Sequence, residues 1–402
     1  MLRNLKEYEC ECGCVHRIKT KKIIVDNDAY QKLLEELKYC DQTKILIFSS
    51  LKDSFLIDKL SLELSKVNKN VERVVLVDCN ATIMVAEQIK NLDCGLVVAL
   101  GTEPLISVAK YYSYMINSGL YIFPIGNFCD YTFSKFARLF DGVEYAFYST
   151  VEPEKVFVST AINKYNQYQT SFIMSKQLSF FDSVVSELVF NQKVCEKAKE
   201  YFKTTLDDYK FCNDEKQMNL KNIWTLIRIG LAISFFDQTK CFYGGELAIT
   251  NLLQAQNISA DFLEINTIST KFVFNLYSCF FKKFPKQNDV NINKQIAGLS
   301  MLLNVSSLEV IKRIVGSEFL VGEDMILNRF SNYYHYLKQI LKKCIQKMFR
   351  IKSNISLTTN ISKKYNFTAK RLEKTFALSH TLFIKPCCLH LFSAFGYMDI
   401  LL

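Results

Sequence analysis

Hydrophobic positions divide the chain into two regimes. In the first, short apolar runs alternate with amphipathic stretches: KKIIV at 21–25, a helical period over 29–37, KILIFSS at 44–50, a helical period over 53–66, VERVVLV at 71–77 and a helical period over 81–91. This strand-helix rhythm predicts a parallel sheet with helices on both faces. Residues 96–100, LVVAL, are apolar without alternation and lie between Gly95 and Gly101, as a strand buried on both faces does. Gly101 breaks the run, and a helical period follows to Lys110, closing a stretch that begins at Asp93. At such a strand-to-helix turn the backbone N–H groups of the helix N-terminus converge, and glycines let a pyrophosphate come close. GLYIFP at 119–124 reads as a further strand, and VEPEKVFVST ends the regime near Thr160. Long amphipathic helices follow. The expected domains are therefore 1–160, an α/β dinucleotide-binding-like unit with a cysteine-rich lead-in, and 161–402, an all-helical unit.

At 402 residues, 49% apolar and 22% charged, the composition is that of an ordinary globular protein long enough for two cores. Fourteen cysteines without a secretory signal imply a reducing compartment, so the expected location is the cytoplasm. No apolar run approaches the roughly 20 residues of a membrane span; 272–281 is short and holds Asn275 and Ser278. The net charge of +10 is concentrated in 338–374, where eleven Lys or Arg face one acid, Glu373. With no nucleic-acid motif beside it, this reads as a solvated face, and neither a nucleic acid nor a membrane is an expected partner. Cys10, Cys12, Cys14 and His16 fall within seven residues. They are metal-ligand types, although zinc sites usually space cysteines by two or more residues. Metal binding and a reduced structural lead-in both remain open for them.

The turn Gly101, Thr102, Glu103, Pro104, Leu105, Ile106, Ser107 and Lys110 follows the pattern G-S-G-T-x-x-D-x-x-K in part, and PIGNFCDYTFS carries Pro124, Asp130 and Ser134 in register with P-T-A-P-S-M-D-G-Y-x-S. Cys10, Cys12, Gly13 and His16 match C-x-C-G-x-x-H. With these residues the chain resembles the glycerol-1-phosphate dehydrogenase branch of the iron-containing alcohol dehydrogenase and dehydroquinate synthase-like superfamily. The resemblance implies a dehydroquinate synthase-like fold, NAD(P) bound at Gly101, Thr102 and Ser134, and a small phosphorylated substrate contacted by Asp130. Asp130 also suits a helix cap at Tyr131. Glu103 replaces a glycine and is expected to place a carboxylate where the phosphates lie, while Ile125 and Phe128 replace hydroxyl-bearing residues.

The same resemblance implies a divalent metal held by one aspartate and two histidines, which polarises the substrate oxygen. Counting back from Lys176, with Asp182 as a second anchor, puts the aspartate position at Phe172. TKCFYGGELAITN fits S-R-P-A-S-G-x-E-H-x-x-S-H through Thr239, Lys240, Gly244, Gly245, Glu246 and Thr250, which puts the first histidine at Leu247 and a substrate-binding histidine at Asn251. FLEIN puts the last ligand at Phe262. No metal is expected there. The four histidines of the chain are His16, His335, His380 and His390, and the last two read as partnered helix residues. What the resemblance implies is NAD(P)H-dependent reduction of dihydroxyacetone phosphate to sn-glycerol 1-phosphate. The lost ligands turn that expectation toward an impaired or inactive relative with a weakened NAD(P) site, and the alternative is a non-catalytic binding or regulatory protein. A homodimer or a paired paralogue is the expected assembly.

Overall fold

A computed structural model describes residues 7–77, 80–89, 92, 94–239, 241–257, 259–286, 288, 291–315, 323–348, 355–382 and 386–395. Asn91, Asp93, Lys240 and part of the basic segment, 349–354, lie outside the described residues. The strands are β1 (Tyr8–Glu9), β2 (Val15–His16), β3 (Lys22–Asp26), β4 (Lys44–Ser50), β5 (Asn70–Leu76), β6 (Leu96–Gly101), β7 (Gly119–Pro124), β8 (Phe136–Phe140), β9 (Tyr145–Ser149) and β10 (Lys155–Ser159). The first helices are α1 (Ala29–Lys38), α2 (Ser54–Ser65), α3 (Ile83–Gln88), α4 (Glu103–Met115), α5 (Gln167–Leu188), α6 (Glu196–Asp208) and α7 (Glu215–Phe236). After them come α8 (Gly245–Gln256), α9 (Phe262–Phe280), α10 (Ile292–Leu303), α11 (Ser307–Val315), α12 (Glu323–Met348), α13 (Ile355–Lys364), α14 (Ala369–Leu378) and α15 (Cys388–Ala394).

The chain forms two compact units, Met1–Gln169 with Tyr209–Asp237, and Thr170–Asp208 with Gln238–Leu402. The first holds a six-stranded sheet in the order β3-β10-β7-β6-β4-β5, every neighbouring pair parallel. All six residues of β6 are buried, whereas β5 at the edge alternates between covered and exposed positions. That is the physical difference between an unbroken apolar run and VERVVLV. Leu33 and Leu37 of α1, Leu60 and Leu64 of α2, and Ile45, Ile47, Val98 and Leu100 of the sheet form one continuous core. The chain runs from β4 outward to β5 and returns on the other side of β4 as β6, so the strand order reverses between β4 and β6. Ligand crevices in such sheets open at this reversal, beyond the carboxyl ends of the strands, and Gly101 ends β6 there. Helix α3 starts at Ile83 because Thr82 caps it, accepting from Val85 N at 3.3 Å, and Thr82 bridges to Phe140.

Helix α7 lies after residue 160 yet belongs to the α/β unit. It packs on the single-turn helix Asp130–Phe133, and Ser234 accepts a hydrogen bond from Lys135 N at 2.7 Å. The described residues of the second unit that form regular structure are all helical, with α8 packed along α9. Phe280, Phe281, Phe330, Phe392 and Phe395 build an aromatic core there, with ring centroids 4.3 to 5.8 Å apart among the touching pairs. Among the described residues no helix is long and apolar enough to cross a membrane.

The close approach of α7 to the Asp130–Phe133 turn depends on Gly230. A Cβ at that position would stand 2.2 Å from the Asp130 carbonyl oxygen and 2.8 Å from Phe133 Cβ. Gly230→Ala is expected to cost roughly 1–3 kcal/mol or more, as overpacking of a filled core does. The measurement is the urea midpoint of the variant, and an unchanged midpoint would contradict this packing.

Candidate functional site

The strand-to-helix turn is built as expected up to Thr102, then departs from a phosphate cradle. Gly101 ends β6, and Thr102 is the N-cap of α4 in extended backbone, half-buried, with its carbonyl accepting from Ile106 N at 3.1 Å. Glu103 opens the helix. Its N–H is already engaged, donating to the Asn127 carbonyl at 3.2 Å. Its side chain turns inward, where Oε1 accepts from Ser107 Oγ at 2.6 Å. Burial raises its pKa, opposed by the Ser107 bond and the nearby Arg138 and Lys110 charges. The sequence expectation that this carboxylate would face the phosphates is therefore corrected: a one-turn hydroxyl partner and two cations draw it under the helix. What still acts against a pyrophosphate is the engaged Glu103 N–H and the apolar Ile125 and Phe128. Phe128 is core, edge-on to Phe133 at 5.6 Å. The turn fits NAD(P) poorly.

Lys110 is fully buried. Its ammonium donates to the carbonyls of Tyr131 at 2.5 Å and Phe136 at 3.1 Å, so it ties α4 to the following turn and to β8. Burial pushes it down to about 7, with Glu103 opposing the fall. Asp130 is also fully buried, and its Oδ1 accepts from Tyr131 N at 2.7 Å; the cap of the single-turn helix is Cys129, with Asp130 its first residue, not the cap the sequence suggested. Ser134 Oγ, buried as well, donates to Tyr131 O at 3.0 Å and accepts from Phe136 N at 3.1 Å. Of these, Asp130 was expected at the substrate and Ser134 at the cofactor. The fold gives each of them a backbone partner.

In the second unit the three positions at which the resemblance implies metal ligands come from three helices: Phe172 on α5, Leu247 in the first turn of α8 and Phe262 at the start of α9. All are buried. The Phe172 and Phe262 rings meet edge to face, centroids 5.6 Å apart. Lys176, one turn after Phe172, is fully buried and places its Nζ 4.2 Å from the Phe172 ring centroid and 4.0 Å from that of Tyr243, while donating to Phe242 O at 3.0 Å. None of the three side chains offers a lone pair, so a divalent metal does not fit at these positions. Asn251 sits half-buried on α8. His380 pairs with Gln295 Oε1 at 3.3 Å, and His390 Nδ1 accepts from Cys387 N at 3.1 Å.

Beside this filled space lies a polar junction that the residue pattern marked only as an alignment anchor. Asp182, on α5, is fully buried and accepts from Gly245 N at 2.7 Å, from Cys388 N at 2.8 Å and from Tyr277 Oη at 2.9 Å. It thereby caps the first residues of α8 and α15 and fastens α9. The glycine pair permits this approach, since a Cβ at Gly244 would stand 2.2 Å from Asp182 Oδ2 and one at Gly245 2.4 Å from Tyr277 Oη. Burial and the adjacent Glu246 push the Asp182 carboxyl up to about 7, against the pull of its donors.

Two outcomes are expected. Glu103→Gly removes the acceptor of Ser107 in a buried place and adds glycine entropy to a helix, so stability should fall by roughly 1–3 kcal/mol, with no gain in NADH affinity by calorimetry. For Asp182 the folded pKa lies above the ordinary 3.8, so its contribution is fully present below about pH 4 and lost as pH rises through about 7. The stability advantage of the native chain over Asp182→Asn should therefore shrink across that window; an advantage that grows would reverse the assignment.

No protein-family profile matches the chain, and no curated protein is similar to it in sequence. Solved structures are similar in fold. An archaeal halo-thermophilic alcohol dehydrogenase from a Red Sea brine pool superposes with a TM-score of 0.56 at 10% identity, covering 96% of this chain and 98% of that one. A glycerol dehydrogenase from Schizosaccharomyces pombe gives a TM-score of 0.49 at 14% identity, covering 87% of this chain and 92% of that one. With its parallel sheet unit followed by a helical one, the chain has the dehydroquinate synthase-like fold of the iron-containing alcohol dehydrogenases.

Proposed function

We propose that this chain is a non-catalytic relative of the glycerol-1-phosphate dehydrogenases, a binding or regulatory protein that keeps the fold without the metal-dependent hydride transfer. Its partner in this reading is a second copy or a catalytic paralogue. The reading rests on one observation above all, the edge-to-face contact of Phe172 with Phe262 where the resemblance implies two metal ligands. A polarising metal supplies several kcal/mol of transition-state stabilisation, and an aromatic pair supplies none. The poor fit of the Gly101 turn to a pyrophosphate adds to it. The competing reading, an active sn-glycerol-1-phosphate dehydrogenase, predicts a different experiment.

Purified protein supplied with zinc, nickel or ferrous ion should not oxidise NADH or NADPH when dihydroxyacetone phosphate is added, and titration calorimetry should give no micromolar dissociation constant for either nucleotide. Metal-stimulated turnover would overturn the proposal. The triple change Phe172→Asp, Leu247→His and Phe262→His should lower the melting temperature, because each buried apolar side chain contributes roughly 1.5–3 kcal/mol and its polar replacement enters a dry site. A triple variant that gains both metal and stability would show instead that the site is still shaped for an ion.

A further inference from the structure

We infer that the lead-in hairpin is a zinc site, with Cys10, Cys12 and His16 as its ligands. The two short strands β1 and β2 pair antiparallel, Tyr8 opposite His16 and Glu9 opposite Val15. Between them the chain reverses in a tight turn, closed by Cys10 N donating to Cys14 O at 3.0 Å and Gly13 N donating to Cys10 O at 2.8 Å. Gly13 has φ +83°, the left-handed region that glycine adopts without strain. The reversal brings three donor atoms together: the Sγ atoms of Cys10 and Cys12 and a ring nitrogen of His16 lie within 4.8 Å of one another. Cys14 is exposed and is not one of the set.

Three features favour a metal over a chance meeting of polar side chains. Cys12 Sγ stands 3.3 Å from His16 Nε2, close to the edge of about 3.6 Å that a zinc tetrahedron with ordinary Zn–S and Zn–N bonds would have. The histidine is also prepared as a ligand. His16 is fully buried, its ring packs against Phe235 and Phe236 with centroids 5.5 and 5.1 Å away, and Nδ1 lies 3.1 Å from the Phe235 carbonyl oxygen. With the proton on Nδ1 donated to that carbonyl, Nε2 presents its lone pair toward the thiols, the arrangement by which a second partner orients a metal-bound histidine. Finally, two thiolates and one imidazole are a soft donor set that suits zinc rather than magnesium or calcium. Binding releases the two thiol protons to solvent. A fourth donor from outside the hairpin, protein or water, completes the tetrahedron. The ion would fasten the hairpin, through His16 and the Phe235 carbonyl, to the last turn of α7. This site is independent of the positions at Phe172, Leu247 and Phe262.

The test uses the full chain. Metal analysis of protein purified without added chelator should find one zinc per chain, and cobalt added to the stripped protein should give the sulfur-to-metal charge-transfer band and the intense visible bands of a tetrahedral thiolate site. Cys12 is exposed, so Cys12→Ser should fold, and it should weaken cobalt affinity at least about tenfold. Cys10→Ser and His16→Gln should act alike, and Cys14→Ser should leave affinity and spectrum unchanged. A native chain that takes up neither ion, or a Cys12→Ser variant that binds as tightly as the native chain, would overturn the inference.

Discussion

The helical unit is arranged around one buried carboxylate. Asp182 projects from α5 and accepts hydrogen bonds from the backbone that opens α8 and α15 and from Tyr277 on α9, so a single side chain joins four helices. Helix N-termini favour negative charge, and two of them oppose the cost of burying it. Each donor would be left unsatisfied if the carboxylate were removed, which costs more than the bond itself is worth. This accounts for Gly244, Gly245 and Glu246 beside Leu247, whatever the role of that position. The glycines are required by Asp182 and Tyr277, whatever becomes of a metal. Glu246 accepts from Ser179 and from Gly244 N, and it too has work within the helix junction.

The same sorting applies at the nucleotide turn. Lys110 holds two carbonyls, Ser134 closes the turn that follows, and Asp130 is bonded to the next backbone N–H. Residues with a backbone partner are those that still match the binding pattern, while Ile125 and Phe128, whose counterparts there carry hydroxyls, are apolar. A buried polar group without a partner is costly. Selection for folding alone would therefore retain Lys110 and Ser134, and their presence carries little weight for cofactor binding.

At Phe172 and Phe262 the helical unit holds an aromatic contact. Phe172 covers the ammonium of Lys176, which Tyr243 covers from another side. A cation between aromatic faces is stabilised by their quadrupoles, and the Phe242 carbonyl takes one of its donors. The lysine thus remains buried next to a ring that stands where the resemblance puts a carboxylate.

Much of the fold was legible in the chain itself, because hydrophobic period reports local burial: LVVAL is a strand buried on both faces, and the alternation to 160 a parallel sheet, whereas the edge position of VERVVLV came only with the sheet order. The apolar character of Phe172, Leu247 and Phe262 was equally plain, since residue type alone decides whether a lone pair exists. Other features had no local signature. The inward turn of Glu103 depends on Ser107 one helical turn on and on Arg138 beyond the next strand. The membership of α7 in the α/β unit depends on Gly230 meeting Asp130, and the orientation of His16 on a carbonyl 219 residues away. Cys10 and Cys12 looked too closely spaced for a ligand pair until Gly13 reversed the chain between them and His16. The sequence by itself determined which groups were available and which strands would be buried. Only tertiary contacts decided which way a side chain faced, because that choice is made by whichever distant partner satisfies it.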